Sequence, residues 1–249
     1  MIRLILLLLY VVLYLLFSLF AYVALWAVGH FDSGKKDRGS LWIAQNFFKG
    51  CIKIAGIRLT VLGEENIPTD HAVLFVGNHR SYFDIVIGYT LVKNLCGFVS
   101  KKEMARIPVL SAWMKNLHCL FLDRENLKEG LKTILKGIEQ VKAGISVWIY
   151  PEGTRSRQQE DLPVLPFKEG SMKIAEKSRC PVVPVAMIHT ADILENHMPK
   201  VRSTHVTVWF GDPIDLTALP KEDQKHSGAY LQKVITSMLE KMKAEESSI

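Results

Sequence analysis

The longest apolar stretch of the chain lies near its amino end. From Leu4 to Val28 the sequence carries no charged residue over 25 positions. As a helix, such a run is about 37 Å long, whereas the hydrocarbon core of a bilayer is about 30 Å thick. The pattern therefore predicts a helix that is long enough to span a membrane.

A cleaved signal peptide is the alternative for this segment, because Ala27 and Gly29 form a small-x-small pattern. The apolar core of a signal peptide is only about 7–15 residues long, so the length favours a retained anchor. Three basic residues follow the segment at positions 35–38, while only Arg3 and the amino terminus precede it. Positive charges collect on the cytoplasmic side of a membrane, and we therefore expect the rest of the chain to be cytoplasmic.

A second helix is predicted between Leu41 and Ile57, after a linker at residues 30–40 that is rich in glycine and lysine. Apolar residues recur there at intervals of three or four, the spacing of one helix face. The apolar positions are Leu41, Ala44, Phe48, Cys51 and Ala55, and the polar ones are Asn46, Lys49 and Lys53. This helix could lie among lipid headgroups or pack on the domain that follows. Residues 1–57 are thus predicted to form membrane-anchoring helices, and residues 58–249 a separate domain.

Short apolar runs alternate with amphipathic stretches from Arg58 onward. The runs predict six strands, Arg58–Leu62, Ala72–Val76, Cys119–Leu122, Ser146–Tyr150, Val182–Met187 and Val206–Phe210. A helix is predicted at Asn126–Ala143, with Asn126 as N-cap, Gly144 past its end, and a buried stripe of Leu127, Leu131, Ile134, Ile138 and Val141. Another helix is predicted at Ala229–Lys243. This alternation is typical of α/β domains, whose functional sites gather where strands end.

Composition narrows the class of protein. Of the 249 residues, 49% are hydrophobic and 22% charged, which fits one folded domain with a small apolar attachment. The four cysteines are too widely separated for a CxxC metal or redox pair, and suggest no disulfide framework. The net charge of +6 suits an anionic partner, such as a membrane surface or a phosphorylated substrate. Nucleic acid is not expected, because the basic residues form no stripe interleaved with aromatic ones.

A histidine and an aspartate follow the predicted strand Ala72–Val76, in the sequence N-H-R-S-Y-F-D at 78–84. His79 and Asp84 have the spacing H-x4-D, and so do His118 and Asp123. The second pair encloses a predicted strand, in which five residues separate the Cα atoms by about 16 Å and direct the side chains to opposite faces. Geometry therefore selects His79 and Asp84 as the pair that can cooperate.

A regular helix would also point these two side chains about 140° apart, so His79 must lie in a turn before a helix. Ser81 and Asp84 supply a helix start, because S-x-x-D resembles a capping box with Ser81 as N-cap and Asp84 at N3. The carboxylate either caps the helix alone or also holds the imidazole in one tautomer. In the second case, the other ring nitrogen is free to take a proton from an alcohol.

Two further motifs follow predicted strands. The sequence Y-P-E-G-T-R-S at 150–156 contains Gly153, which permits close backbone approach, and Arg155, whose planar fork suits phosphate. The alternative for this segment is a polar loop with a surface arginine. The sequence V-P-V at 183–185 places a proline inside an apolar run and predicts a strand edge or a bend.

Taken together, these motifs resemble the 1-acyl-sn-glycerol-3-phosphate acyltransferase family. The resemblance covers most of residues 60–215 and includes S-K-K-E-M at 100–104, F-L-D-R at 121–124 and F-K-E-G at 167–170. It implies an α/β acyltransferase domain with a mixed sheet flanked by helices. It further implies that His79 is the catalytic base and Asp84 its orienting partner. The implied substrate-binding residues are Arg124 and Arg155 for the acceptor phosphate, Glu152, Gly153 and Thr154 around the acceptor and acyl carbonyl, and Lys101, whose place Lys102 can equally take.

The resemblance implies a reaction as well. His79 would deprotonate the sn-2 hydroxyl of lysophosphatidic acid as it attacks the thioester of acyl-CoA or acyl carrier protein, without a metal, a cofactor or an acyl-enzyme. A backbone N–H, such as that of Gly153, would stabilise the oxyanion. Other lysophospholipid acceptors and a non-catalytic lipid-binding protein remain alternatives. A serine hydrolase is disfavoured, because the chain has no G-x-S-x-G elbow. His118 and Ser111 stand where the family often has glycine, which leaves the acyl-chain preference open.

Overall fold

Eight α-helices and seven β-strands are found in the computed structural model, which describes residues 1–247. The helices are α1 (Ile2–Gly29), α2 (Ser33–Ala55), α3 (Phe83–Leu91), α4 (Pro108–Asn116), α5 (Leu127–Lys142), α6 (Lys173–Ser178), α7 (Lys221–Lys225) and α8 (Ser227–Ser247). The strands are β1 (Arg58–Leu62), β2 (Leu74–Gly77), β3 (Cys96–Lys101), β4 (Leu120–Leu122), β5 (Ser146–Ile149), β6 (Val182–Ile188) and β7 (His205–Phe210).

The seven strands form one mixed sheet in the order β1-β7-β6-β2-β5-β3-β4. Neighbouring strands are parallel, except β6 and β7, which are antiparallel. Strands β2 to β6 therefore share one direction, and their carboxyl ends meet at one edge of the sheet, where α/β domains place their sites. The mixed sheet flanked by helices is confirmed.

Hydrophobic side chains fill both faces of the sheet. On one face, Phe75 and Trp148 pack with buried residues of α2 and α3. On the other, Ile174, Leu231 and Ile235 of α6 and α8 pack with β2, β5 and β6. Burying each such side chain stabilises the fold by about 1.5–3 kcal/mol. Packing on both faces thus fixes the strands whose ends carry the candidate site.

Six strands lie where the sequence predicts them, with ends shifted by at most two residues. Strand β3 is not predicted, because Gly97 interrupts its short apolar run. A Cβ atom at Gly97 would lie 2.0 Å from the carbonyl oxygen of His118. Glycine is therefore required there by the close approach of the chain before β4, a contact that the strand's own pattern does not reveal.

Pro184 lies inside β6, a central strand between β7 and β2, so the predicted strand edge is wrong. The N–H and C=O of one strand residue point to the same side, and the Pro184 carbonyl accepts a hydrogen bond from Gly211 at 2.8 Å. The missing N–H thus faces the segment just beyond Phe210, where β7 has ended. A central strand tolerates proline here because the one bond that proline cannot donate falls at the end of the β6–β7 pairing.

Helix α5 confirms the predicted caps. The Asn126 side chain accepts a hydrogen bond from the backbone N–H of Glu129 at 3.2 Å, and Gly144 beyond the end has φ 85°. Ile138 and Val141 are buried as predicted, and Ile134 is partly buried. The end signals depend on residues within a few positions of one another, so the sequence predicts them well.

The first half of the predicted α5 stripe is wrong. Leu127 and Leu131 are 91% and 58% exposed. The helix instead approaches its neighbours through small residues, since a Cβ atom would lie 2.9 Å from the Asp123 carbonyl oxygen at Gly130 and 2.8 Å from a side-chain carbon at Gly137. This close approach turns the two leucines outward. A hydrophobic pattern does not detect a face made of glycine.

Helix α2 begins at Ser33, so most of the predicted linker at residues 30–40 is helical. Asp32 caps the helix by accepting a hydrogen bond from the Lys35 N–H at 2.9 Å. Leu41 and Ala44 are buried in the same cluster as α3 and the sheet. The apolar face of α2 therefore packs on the domain. The division of the chain at residue 57 stays a prediction.

Helix α1 is long and apolar enough to cross a membrane. Its most apolar window of 18 residues has a mean hydropathy of 2.8, and only 6% of that window is buried. One face packs on α2, where the Tyr14 hydroxyl donates to the Ile43 carbonyl at 2.9 Å, while large apolar side chains on the rest of the helix are exposed. Soluble monomers rarely expose so large an apolar surface, and α1 therefore indicates association with a membrane.

Candidate active site

The imidazole of His79 and the carboxylate of Asp84 are in contact at the end of β2. His79 Nδ1 lies 2.7 Å from Asp84 Oδ2. The same oxygen accepts hydrogen bonds from the backbone N–H groups of Arg80 and Ser81, each at 2.8 Å. Asp84 is fully buried, so its place is fixed by these three donors. His79 Nε2 has no hydrogen bond to any residue in 1–247.

The helix start differs by one position from the predicted capping box. Because α3 begins at Phe83, Tyr82 is the N-cap residue and Asp84 the second residue of the helix. Ser81 Oγ accepts a hydrogen bond from the Phe83 N–H at 3.0 Å. Asp84 nevertheless accepts from backbone groups before the helix and also contacts the imidazole. Both of the roles considered for this carboxylate are therefore present in its contacts.

The loop after β5 lies against His79. The ring of Tyr150 stacks on the imidazole, with centroids 4.1 Å apart and planes 11° apart. The His79 N–H donates to Glu152 Oε1 at 2.6 Å, and the Ser156 N–H donates to the His79 carbonyl at 2.8 Å. The two motifs meet because β2 and β5 are neighbours in the sheet. Tyr150 was not among the predicted site residues, although it is the first residue of the Y-P-E-G-T-R-S motif and stands at the end of a predicted strand.

Glu152 is buried, and both of its carboxylate oxygens accept backbone hydrogen bonds. The second donor is the Leu165 N–H, at 3.2 Å from Oε2. Burial raises the pKa of Glu152 to about 7, the nearby charge of Asp84 adds to the rise, and the two N–H donors oppose it. Glu152 thus links the histidine turn to two separate parts of the loop that follows β5.

Gly153 has φ 75°, in the left-handed region that favours glycine. Its N–H donates to the Tyr150 carbonyl at 3.1 Å. The N–H that the sequence suggests for the oxyanion is therefore engaged within the loop. The next two backbone N–H groups, of Thr154 and Arg155, have no hydrogen-bond partner among residues 1–247.

Arg155 lies beside the start of α3. Its Nη1 is 2.9 Å from Glu195 Oε1, and its guanidinium carbon is 3.6 Å from the centroid of the Tyr82 ring. The side chain is 30% exposed. Arg155 is thus close to the histidine motif, and one of its nitrogens is already paired with a carboxylate.

Lys101 and Arg124 lie further along the same edge, at the ends of β3 and β4. These strands are two and three places from β2, which corresponds to about 10 Å and 14 Å. Lys102 Nζ is held by Asp123 at 3.0 Å and Glu125 at 3.4 Å. The Lys101 side chain has no such partner within residues 1–247. Of the two lysines, Lys101 is therefore the one available to a ligand.

Comparisons with known proteins show the family of this chain. A family model described as acyltransferase matches residues 58–188. A 1-acyl-sn-glycerol-3-phosphate acyltransferase of Saccharomyces cerevisiae is 30% identical over 210 residues, which are 84% of this chain and 68% of that protein. Another, of Borreliella burgdorferi, is 29% identical over 202 residues, 78% of each chain. The chain belongs to the 1-acyl-sn-glycerol-3-phosphate acyltransferase family.

A solved structure shares the fold of this acyltransferase. The crystal structure of the 1-acyl-sn-glycerophosphate acyltransferase of Thermotoga maritima matches with a TM-score of 0.75 at 27% identity, covering 97% of this chain and 98% of the other. The match extends over nearly the whole chain, so it includes the amino-terminal helices as well as the sheet.

Two neighbours of His79 hold the acyltransferase site in place. The Asn78 side chain donates to the Met187 carbonyl and accepts from the Met187 N–H, both at 2.9 Å, and so ties β2 to β6. Arg80 is buried, donates to the Gln158 carbonyl and lies 3.5 Å from Asp161. Both side chains contact protein groups, and neither is identified by sequence alone as a supporting residue. Among residues 1–247, no three His, Cys, Asp or Glu side chains are grouped to hold a metal ion.

His118, one of the departures from the family pattern, has φ 57°, in the region that favours glycine. Its Nε2 lies 2.8 Å from Asp37 Oδ2 of α2. Asp123, which shares the H-x4-D spacing with His118, contacts Lys102 instead. The prediction that His118 and Asp123 do not cooperate is confirmed. The histidine connects α2 to the chain just before β4.

Proposed function

We propose that this acyltransferase transfers a fatty acyl group from an acyl thioester to the sn-2 hydroxyl of 1-acyl-sn-glycerol 3-phosphate, forming phosphatidic acid. The observation that carries the proposal is the contact of 2.7 Å between His79 Nδ1 and Asp84 Oδ2, with Nε2 left without a partner among residues 1–247. The family and the substrate named for its relatives supply the acceptor.

The chemical step needs one general base. Asp84 accepts a hydrogen bond from Nδ1–H, which leaves the lone pair of Nε2 available. His79 Nε2 takes the hydroxyl proton as the sn-2 oxygen forms a bond to the thioester carbonyl carbon. The C–S bond then breaks, and the proton passes from the imidazolium to the departing thiolate. The buried Asp84 carboxylate stabilises the positive charge on the ring between these two transfers.

The tetrahedral intermediate requires a donor to its oxyanion. Because the Gly153 N–H is engaged by Tyr150, we assign this task to the neighbouring Thr154 or Arg155 N–H. Glu152 supports the assignment, since it fixes the loop against the His79 backbone at 2.6 Å. The preorganised loop then needs no rearrangement when charge develops on the carbonyl oxygen.

Cationic side chains on both sides of His79 suit the acceptor phosphate. Arg155, in the loop after β5, lies beside the start of α3. Lys101 and Arg124 lie at the ends of β3 and β4. Charge-assisted hydrogen bonds from such groups are about twice as strong as neutral ones. Nucleic acid is not expected as the partner of these cations, because the basic residues of the sequence form no stripe interleaved with aromatic ones. Acyl-CoA and acyl carrier protein both remain candidate donors.

The proposed location follows from the amino-terminal helix. We place α1 in the membrane and the catalytic domain on its cytoplasmic face, because basic residues follow α1 at positions 35–38. A lysolipid acceptor resides in the same membrane, so this location brings the enzyme to its substrate.

The direct test is an assay of the purified full-length chain with two thioester donors and a set of lysolipid acceptors. We expect turnover with 1-acyl-sn-glycerol 3-phosphate and a loss of at least about 100-fold in kcat for His79→Ala. His71→Ala is the matched control, because His71 makes an equally short contact of 2.7 Å with Asp70 at the surface. Preference for another lysophospholipid would change the acceptor, while full activity of His79→Ala would exclude general-base catalysis.

A further inference from the structure

Glu195 lies in the connection after β6, outside every motif that the sequence singles out. It begins a short 3-10 helix, Glu195–His197. The connection is anchored by Ile193, which is fully buried and whose carbonyl accepts from the Arg202 N–H at 2.8 Å. The Glu195 side chain is only 17% exposed. A carboxylate is therefore presented from a fixed backbone towards the two catalytic motifs.

One carboxylate joins these motifs. Glu195 Oε2 accepts from the Ser81 hydroxyl at 2.7 Å, and Oε1 accepts from the Tyr82 N–H at 2.9 Å. Oε1 also accepts from Arg155 Nη1 at 2.9 Å. The first two donors belong to the start of α3, the helix that carries Asp84. Glu195 thus connects this helix start to the loop that carries Arg155.

These contacts decide which edge of Arg155 is available. Glu195 occupies Nη1, and the Tyr82 ring lies under the guanidinium at 3.6 Å. Nε and Nη2 have no hydrogen-bond partner among residues 1–247. The N–H groups of these two nitrogens point in the same direction and form the fork that matches two oxygens of a phosphate.

We infer that Glu195 is a positioning residue of this acyltransferase, which holds Arg155 so that its Nε and Nη2 fork faces the acceptor phosphate. The inference rests on the proposed function of Arg155 as a phosphate ligand. The Glu195 carboxylate accepts hydrogen bonds from Ser81, Tyr82 and Arg155 and takes no part in the proton transfer. Its effect on the substrate is exerted through Arg155.

Two alternatives are distinguishable from this role. A carboxylate that competes with substrate would occupy the fork itself, whereas Glu195 binds the opposite nitrogen. An ordinary surface ion pair is weak because two flexible side chains must be ordered to form it. Here Ser81 and Tyr82 already order Glu195, and the Tyr82 ring orders Arg155. The pair can therefore hold the guanidinium at little additional entropic cost.

The experiment measures equilibrium binding of lysophosphatidic acid and of a monoacylglycerol, which lacks the phosphate. The protein is the full-length chain carrying His79→Ala, so that no turnover occurs. We expect Glu195→Ala to raise the Kd for lysophosphatidic acid by roughly 10-fold. The Kd for the monoacylglycerol should change by no more than about twofold. Glu195→Gln keeps an uncharged hydrogen-bond acceptor and should lose less affinity for lysophosphatidic acid. It replaces the alanine variant if that variant does not fold. Added to Arg155→Ala, Glu195→Ala should cause no further loss.

The matched control is Glu139→Ala, which removes an exposed glutamate that pairs with Lys142 at 3.6 Å on α5. It should bind both lipids as the parent does. An unchanged or tighter affinity for lysophosphatidic acid in Glu195→Ala, or an equal loss for both lipids, overturns the positioning role. Turnover of lysophosphatidic acid by the wild-type chain is measured separately. Glu195-dependent binding without turnover would overturn the proposed function and leave the positioning role standing.

Discussion

Replacing Asp84 with asparagine separates the charge of this residue from its geometry. Oδ2 accepts from His79 Nδ1 and from two backbone N–H groups, whereas Oδ1 has no partner among residues 1–247. Two fixed backbone donors require an oxygen at the Oδ2 position, so the introduced amide would keep its oxygen there. We therefore expect the histidine to retain its proton on Nδ1. What the substitution removes is the negative charge.

The magnitude follows from the contact. A carboxylate and an imidazolium whose charges are about 4 Å apart attract by about 4 kcal/mol at an effective dielectric constant near 20. Because the amide oxygen still accepts a hydrogen bond, we expect a loss of about 3–4 kcal/mol, or roughly 10²–10³-fold in kcat. Asp84→Ala is a poorer test, since it leaves two buried N–H groups without an acceptor, at about 1–3 kcal/mol of stability each.

The assay is kcat at saturating lysophosphatidic acid, together with thermal unfolding and ¹⁵N NMR of the histidine ring. Asp70→Asn is the matched control, because Asp70 contacts His71 at the same 2.7 Å on the surface, and it should be fully active. An Asp84→Asn enzyme within tenfold of wild type would refute the electrostatic reasoning. A ring proton that has moved to Nε2 would refute the assignment of the amide oxygen.

Three further predictions concern the acceptor, Glu152 and the membrane. Arg155→Lys should lower kcat/KM for lysophosphatidic acid by roughly 10–100-fold, because lysine lacks the fork, while a monoacylglycerol should be used equally poorly by both enzymes; equal impairment on both acceptors contradicts this. Because the pKa of Glu152 is raised to about 7, the fold favours its protonated form, so this contribution to stability is complete below about pH 4.5 and lost as pH rises through 7. In urea unfolding, the free energy of unfolding of the wild type should therefore fall by about 1–3 kcal/mol relative to that of Glu152→Gln between pH 5 and 8. If the free energies of unfolding of the two proteins depend on pH in the same way, the prediction is wrong. In cell fractionation, the full-length chain should stay in the membrane pellet after a high-salt wash, and recovery in the soluble fraction would exclude the anchor.

The sequence by itself determined the local features of this acyltransferase. The apolar run of α1, the cap at Asn126 and the glycine at position 144 depend on residues that are close in the chain. The turn that brings His79 to Asp84 is local as well, since five positions separate them. Such interactions are formed within one or two turns of backbone, and they can be recognised before any packing is known.

Only the tertiary structure decided which of these features meet. Tyr150 and Glu152 contact His79 because β5 pairs with β2, and Glu195 reaches Arg155 because β6 lies on the other side of β2. The exposed leucines of α5 show the same dependence, because the close approach of Gly137 to Ile174, a residue distant in sequence, contributes to the rotation of that helix. These outcomes depend on strand order and on close packing between residues far apart in sequence, where the energy of each contact is determined by both partners together.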